Sequence, residues 1–422
     1  MLSLLFAGGM SIVIPMSAAS QDMAAAAQDT TLQSTIEAGE SSVEEPKRKL
    51  VKWNEFDGPF TTLRVGAGLL FDAATFVQDE ANSKQFNLTP DMNLRDFRFF
   101  LKGRLKLKRS VTWSCGIMYD GASTSWLFRE TGIMIAVPEL WGNLFIGRTK
   151  EGYSLNKVMV GYAGWTMERA TINDATIPIL ADGVKWLGYL PSRHLLWNIG
   201  WYHDWLSEGQ SFSTYSSQFV VRIAAVPLLG ESSCELLHIG LNGRYGEAYN
   251  HKLRLRSRPE NFLSPYFVDT GEFPAVDSWT AGWEVYFRSG SLLLGTEYSL
   301  QKVHSPETGS PLFHGGDVVL SWLITGETRG YNTVGGYFRA ISPTKTVFDS
   351  GPGAWEAVLR LSYIDLDSKT LNGGKFWRAT PMVNWHLSDN LRLEFAYGYG
   401  RLSRFDLVGG TQFFQCRIQM QL

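Results

Sequence analysis

Phe414-Gln415-Cys416-Arg417-Ile418-Gln419-Met420-Gln421-Leu422 alternates apolar and polar side chains without a break. Successive side chains of an extended strand point to opposite faces, so a period of two sorts this segment into one greasy face and one wet face. Working backwards, the same alternation recurs to Thr61, through segments such as Leu391–Gly400, Phe376–Leu387, Gly353–Asp365, Trp126–Val137 and Leu94–Leu107. With Thr333–Ala340 and a strand within His251–Val268 included, about eighteen candidates result, and sixteen fit the same text given the usual error at strand boundaries. Short joins such as 108–110, 138–139 and 388–390 contrast with a long one at 149–182, the pattern of periplasmic turns and external loops.

A sheet of this many two-faced strands has to bury its apolar face. The mean hydropathy of -0.10 leaves no room for a bundle of membrane-spanning helices, so a membrane form would have to be a barrel. The 42 glycines, 15 tryptophans, 16 tyrosines and 25 phenylalanines suit turns and interfacial aromatic girdles. Many of these rings stand near strand ends, as Phe71, Trp113, Tyr119, Trp197, Trp201, Trp355, Tyr363, Tyr397 and Tyr399 do. The pattern predicts an all-β chain: one transmembrane antiparallel β-barrel of 16 to 18 strands over residues 60–422, in a bacterial outer membrane.

Before it, Leu2–Pro15 is apolar and too short to span, and Ala18-Ala19-Ser20 offers small residues for cleavage, which predicts a signal peptide over 1–20. Residues 21–59 read as a short periplasmic segment. Cys115, Cys234 and Cys416 are too few and too scattered for a disulfide framework, and the seven histidines show no metal-ligand spacing. No cofactor motif and no nucleophile elbow occurs. A net charge of -2 gives no reason to expect nucleic acid as a partner.

Leu94–Lys108 carries the chemistry. Phe97, Phe99, Leu101, Gly103, Leu105 and Leu107 share one face, while Arg98, Lys102, Arg104, Lys106 and Lys108 share the other, interrupted by Phe100. Same-face neighbours lie ~6.8 Å apart, and like charges at that spacing repel, so they need water, anions or acidic partners. Lining a pore, such a ladder favours anions; as an ordinary solvated face it would pair across strands. Arg222, Arg244, Arg360, Arg378, Arg392 and Arg417 also fall on inward positions, with Glu356 and Glu394 among them, and Lys252, Arg254, Arg256 and Arg258 form a second period-two basic run.

Several strings resemble the phosphate-selective porin O and P family: Thr325-Gly326-Glu327 with Arg329 and Tyr331, Gly353-Ala354-Trp355-Glu356 with Arg360 and Asp365-Leu366, and Met167-Glu168-Arg169 after Gly147 and Lys150. Asp72, the run from Pro227 through Leu237-His238-Ile239-Gly240, and Arg258-Pro259-Glu260 follow in the same order. The resemblance covers residues 60–422. It implies a sixteen-stranded homotrimeric porin whose long loop after the fifth strand, about 149–182, folds inward, with small anions such as phosphate as solutes and outer-membrane lipid around it. Lys150 and Arg169 are candidates to line that loop, although Glu168 and Arg169 equally suit a pair that holds it. Two rival readings stay open: a pore for neutral or sugar solutes, and a secreted or surface glycan-binding β-protein without a pore.

Overall fold

The computed structural model describes residues 54–121, 123–203, 215–230 and 234–422. The expected signal peptide and the expected periplasmic segment up to residue 53 lie outside them. Sixteen antiparallel strands close into a barrel. In chain order they are β1 (Thr62–Gln78), β2 (Asp91–Leu105), β3 (Val111–Asp120), β4 in two pieces (Ser125–Phe128 and Thr131–Val137), β5 (Gly142–Thr149), β6 (Ala181–Leu190), β7 (Leu195–His203) and β8 (Tyr215–Leu229). The second half comprises β9 (Glu235–Ala248), β10 (Asp277–Ser289), β11 (Leu292–His304), β12 (Leu312–Leu323), β13 (Ala354–Ser368), β14 (Leu371–His386), β15 (Leu391–Arg404) and β16 (Leu407–Gln421). Each pairs with its neighbour, and β16 returns to β1 in a register from Gly68↔Gln421 to Gln78↔Thr411, so the sheet has no free edge.

The terminal segment shows why. Phe414, Ile418 and Met420 are exposed on the outer wall, whereas Arg417 and Gln419 between them are only 4% and 5% exposed and turn into the lumen. Along β2, Phe99 faces outward while Asp96 and Lys102 are buried inside. The outward rings gather near strand ends: Trp355 stacks on Trp385 at 4.8 Å toward one rim, and Trp377 meets Tyr399 at 5.7 Å toward the other. A lipid-facing band between two aromatic girdles is what this wall needs.

Two of the expected strands are not in the barrel. Residues 251–268 alternate because their backbone is extended, yet only Lys252–Leu253 and Arg256–Ser257 pair, and they do so locally with Phe273–Pro274 and Val268–Asp269. Leu253 and Leu255 face an internal core while Lys252, Arg254 and Arg256 stay exposed, so the alternation reports extension and not membership of a particular sheet. Residues 333–340 fold as a hairpin of Tyr331–Asn332 on Tyr337–Phe338, turned by Gly335 and by Gly336 at φ 66°. Removing these two from about eighteen leaves the sixteen observed. The expected rule of short joins at one rim holds only in part, since the two-residue joins 369–370 and 405–406 lie at the opposite rim. The short joins 106–110, 138–141, 191–194, 290–291 and 387–390 share the rim with the chain terminus, and so does the long connection 324–353.

Among the described residues, connections 150–180 and 249–276 from the outer rim and 324–353 from the rim of short joins enter the lumen, and Phe86 of connection 79–90 stacks on Phe267 at 4.8 Å. Ala170 and Ile172 of the first pack on Leu253, Leu255, Phe267 and Phe273 of the second. Trp165 of the first meets Phe338 of the third at 6.1 Å and Tyr286 of the wall at 5.5 Å. The interior is therefore largely filled, and any passage runs beside these loops.

Candidate functional site

Loop 150–180 is held by a dense set of polar contacts. Its short helix Leu155–Val158 begins at Ser154, whose hydroxyl accepts the Lys157 N–H at 3.2 Å. The two carboxylates of Glu284 on β10 and Glu297 on β11 receive the Leu155 N–H at 2.6 Å and the Asn156 N–H at 2.7 Å. Backbone carbonyls placed inside a barrel need donors, and wall side chains supply them one after another. Gln419 donates to the Tyr162 carbonyl at 2.9 Å, Arg392 to Gly164 at 2.7 Å and Asn384 to Trp165 at 2.9 Å. Arg329, from the connection 324–353, donates to Ala163 at 2.8 Å, Arg360 to Glu168 at 2.7 Å, and Arg417 to Met167.

Beside the loop, two cavities lie on the side of β1–β4. A cavity of about 490 Å³ lies toward the outer rim and one of about 370 Å³ toward the opposite rim. Arg98 and Arg129 line both, and so mark the neck between them. Arg98 donates to Asp96 at 2.6 Å with its guanidinium 4.8 Å from the Tyr162 ring, and the Tyr162 hydroxyl in turn donates to Asp96 at 3.2 Å. A Cβ on Gly68 would fall 2.4 Å from that hydroxyl, so glycine there lets the loop approach the wall.

The charge balance around the larger cavity is uneven. Most of its carboxylates are held by arginines: Asp96 by Arg98, Glu168 by Arg95 at 3.0 Å and by Arg417, and Glu260 by Arg360, while Asp174 accepts from the Ser257 hydroxyl at 2.9 Å and the Arg258 N–H at 3.3 Å. Several cations instead hold uncharged partners. Lys150 donates to the Met159 carbonyl at 2.8 Å, Lys157 to Ile177 at 3.3 Å, and Arg169 to Asn156 at 3.0 Å. Arg258 donates to Ser264 at 2.9 Å, and the Arg256 guanidinium lies 4.1 Å from the Tyr266 ring. A carbonyl or a ring positions a cation without cancelling its charge, so the positive potential remains.

The expected site residues therefore separate into three groups. Arg98, Lys150 and Arg169 meet at the larger cavity, and Arg98 and Lys102 at the smaller one, where the Lys102 ammonium lies 4.7 Å from the Phe100 ring. Arg104 is exposed near the end of β2, and Lys106 lies beyond that strand, paired with Asp57 at 2.6 Å. Arg222, Arg244, Arg360 and Arg378 are buried away from both cavities. Arg222 pairs with Glu284 at 2.8 Å, Arg244 with Glu151 at 2.8 Å and Arg360 with Glu260, while Arg378 holds the Pro259 carbonyl and Gln415. Alternation places a side chain inside the barrel, but it cannot tell a wet interior from one filled by loops.

Arg95, Arg129 and Lys157 line the larger cavity without having been singled out. Arg95 is the extra residue of a bulge, where Leu70 pairs with Asp96 but Phe71 pairs with Leu94, so both Arg95 and Asp96 reach the lumen. Arg129 stands in the break between the two pieces of β4. Lys157 lies in a loop, where no period marks it.

A closed sixteen-stranded barrel with outer aromatic girdles and an inward loop defines an outer-membrane porin. This chain belongs to the family of phosphate-selective porins O and P, which it matches over residues 76–406. A protein of Caulobacter vibrioides described as uncharacterized is 29% identical over 181 residues, a stretch that covers 42% of this chain and 36% of that protein. The outer membrane channel DcaP of Acinetobacter baumannii has a similar fold (TM-score 0.56, 10% identity, 87% of this chain and 99% of that one). So do the Vibrio cholerae protein OmpT (TM-score 0.54, 10% identity, 87% and 100%) and an anion-selective porin from Comamonas acidovorans (TM-score 0.51, 13% identity, 86% and 100%).

Proposed function

We propose that this porin lets small hydrophilic anions, phosphate among them, diffuse through the passage between loop 150–180 and strands β1–β4, and that it works as a homotrimer. The observation that carries the reading is the uneven pairing at the larger cavity: Asp96, Glu168 and Glu260 meet arginines, whereas Lys150, Lys157, Arg169, Arg256 and Arg258 meet carbonyls or rings. Anion selectivity in the Comamonas porin and the trimer form of the Vibrio protein support the two halves of the proposal by analogy of fold. Liposome swelling tests it. Anionic solutes are expected to enter faster than neutral sugars of equal mass, and equal rates would favour the neutral-solute pore, for which Phe100, Tyr162, Phe262 and Tyr266 would supply a ring-lined track.

Substituting Lys102, Arg104 and Lys106 together by glutamine is expected to lower anion conductance about twofold and leave folding intact, since Arg104 and Lys106 are exposed, where charges add little to stability, and glutamine keeps a polar side chain at the buried Lys102. Most of that loss should reappear in Lys102→Gln alone, because Arg104 and Lys106 lie outside both cavities. Single-channel recordings of the three single variants check this.

Conductance should also depend on pH. Burial lowers the pKa of Lys157, and the neighbouring Arg169 lowers it further, against the raising pull of Glu151 and Asp174; Lys150 is pushed down by burial and Arg169 in the same way. A lowered pKa means that the ammonium is lost sooner as pH rises, while the arginines stay charged. Anion preference is therefore expected to weaken between about pH 6 and about pH 9, measured as a reversal potential moving toward zero.

A further inference from the structure

The outer wall carries a second basic site that plays no part in the passage. On β13 and β14 the outward rings of Trp355 and Trp385 stand at the rim of short joins, and Tyr363 and Trp377 stand eight positions away at the other rim. Eight residues span about 27 Å of strand, or about 20 Å along the membrane normal once strands tilt as barrel strands do, somewhat less than an apolar band of about 25 Å, so the rings stand at its edges. The next outward positions, two residues further, are Asp365 and Lys375, with Arg401 beside Trp377 on β15. These groups sit just above the upper aromatic row, at the depth of lipid headgroups.

Asp365 is shielded there. It takes Lys375 at 2.9 Å and the Tyr363 hydroxyl at 3.2 Å, and its side chain is 10% exposed. Lys375 remains 47% exposed, so its ammonium keeps open coordination sites. In the register Lys375↔Ser403 and Trp377↔Arg401, Lys375 and Arg401 are diagonal cross-strand neighbours about 7 Å apart at the backbone, a gap that one phosphate group bridges. The Ser403 hydroxyl stands opposite Lys375, and the Trp377–Tyr399 pair forms a ring ledge below. Outward cations at this depth cost little only if water or an anion meets them.

We propose that Lys375 and Arg401 form a binding site for the phosphate of an anionic lipid in the outer leaflet, with the rings of Trp377 and Tyr399 against the sugar or acyl boundary of the same molecule. Native mass spectrometry of the delipidated porin with a phosphorylated glucosamine lipid tests it, using the dephosphorylated lipid and inorganic phosphate as further arms. The wild-type protein is expected to retain the phosphorylated lipid, and K375Q/R401Q to bind it about tenfold more weakly. The dephosphorylated lipid should bind weakly to both, and excess inorganic phosphate should not displace the lipid. Equal binding by the double variant, equal binding of the dephosphorylated lipid, or displacement by inorganic phosphate would overturn the proposal. An unchanged heat-modifiable band and unchanged ion selectivity in K375Q/R401Q would show that the variant is folded and its passage intact.

Discussion

Replacing Arg98 and Arg129 together by glutamine is expected to reduce the chloride-over-potassium permeability ratio about tenfold. A unit charge ~4 Å from a permeating ion contributes about 1 kcal/mol even in water, with opposite sign for anion and cation. Two such charges lost at the neck act on both ions, and screening by salt removes part of the effect. Losing both guanidiniums also leaves Asp96 with only Arg95, 3.8 Å away, to offset it and strips Glu130 of its partner Arg129, 3.3 Å away, so two carboxylates are left at the neck. Glutamine keeps a hydrogen-bonding side chain of moderate length, so the barrel should assemble and migrate on gels as the parent does. Reversal potentials of the double variant in a salt gradient measure the ratio, and an unchanged value would move selectivity away from the neck.

The second large effect is expected from Glu284→Ala. This carboxylate accepts from Arg222 at 2.8 Å, from Asn242 at 3.1 Å and from the Leu155 N–H at 2.6 Å, and contacts His238 at 2.8 Å. Removing one partner of a buried ion pair costs about 3–5 kcal/mol, because the other charge is left unpaired. Here it also frees the start of loop 150–180. Thermal unfolding should fall by several degrees, and the single-channel conductance should rise while selectivity declines, as the loop leaves its seat. Glu284→Gln keeps an acceptor for Leu155 and should fall between the two. A Glu284→Ala channel with parental conductance and stability would mean that the loop is held without this contact.

Much of the barrel was legible in the sequence because its rule is local. Where one face meets lipid and the other a polar interior, every second residue reports its side, and Ile418, Met420 and Phe99 point outward as their spacing requires. Residues 251–258 and 333–340 misled because extended backbone alternates wherever one side is buried, even inside a lumen. The bulge at Arg95 and the break at Arg129 were hidden for the opposite reason: one extra residue changes the parity of the strand, and nothing in composition announces it.

The site was legible only in part. Arg98, Lys102, Lys150 and Arg169 line the cavities, but Arg222, Arg244, Arg360 and Arg378 serve glutamates and loop carbonyls. An inward arginine satisfies a buried backbone as readily as it attracts a solute. Which of the two it does depends on where the three connections pack, and those contacts join residues far apart in the chain, such as Arg360 with Thr166 at 2.8 Å.

Anion preference here comes from cations at the larger cavity whose charge is positioned but not cancelled. Its most direct test is the zero-current potential of the purified wild-type porin in a planar bilayer under a potassium chloride gradient. The potential should take the sign that marks chloride as the more permeant ion; a value at zero, or of the sign set by potassium, would contradict it.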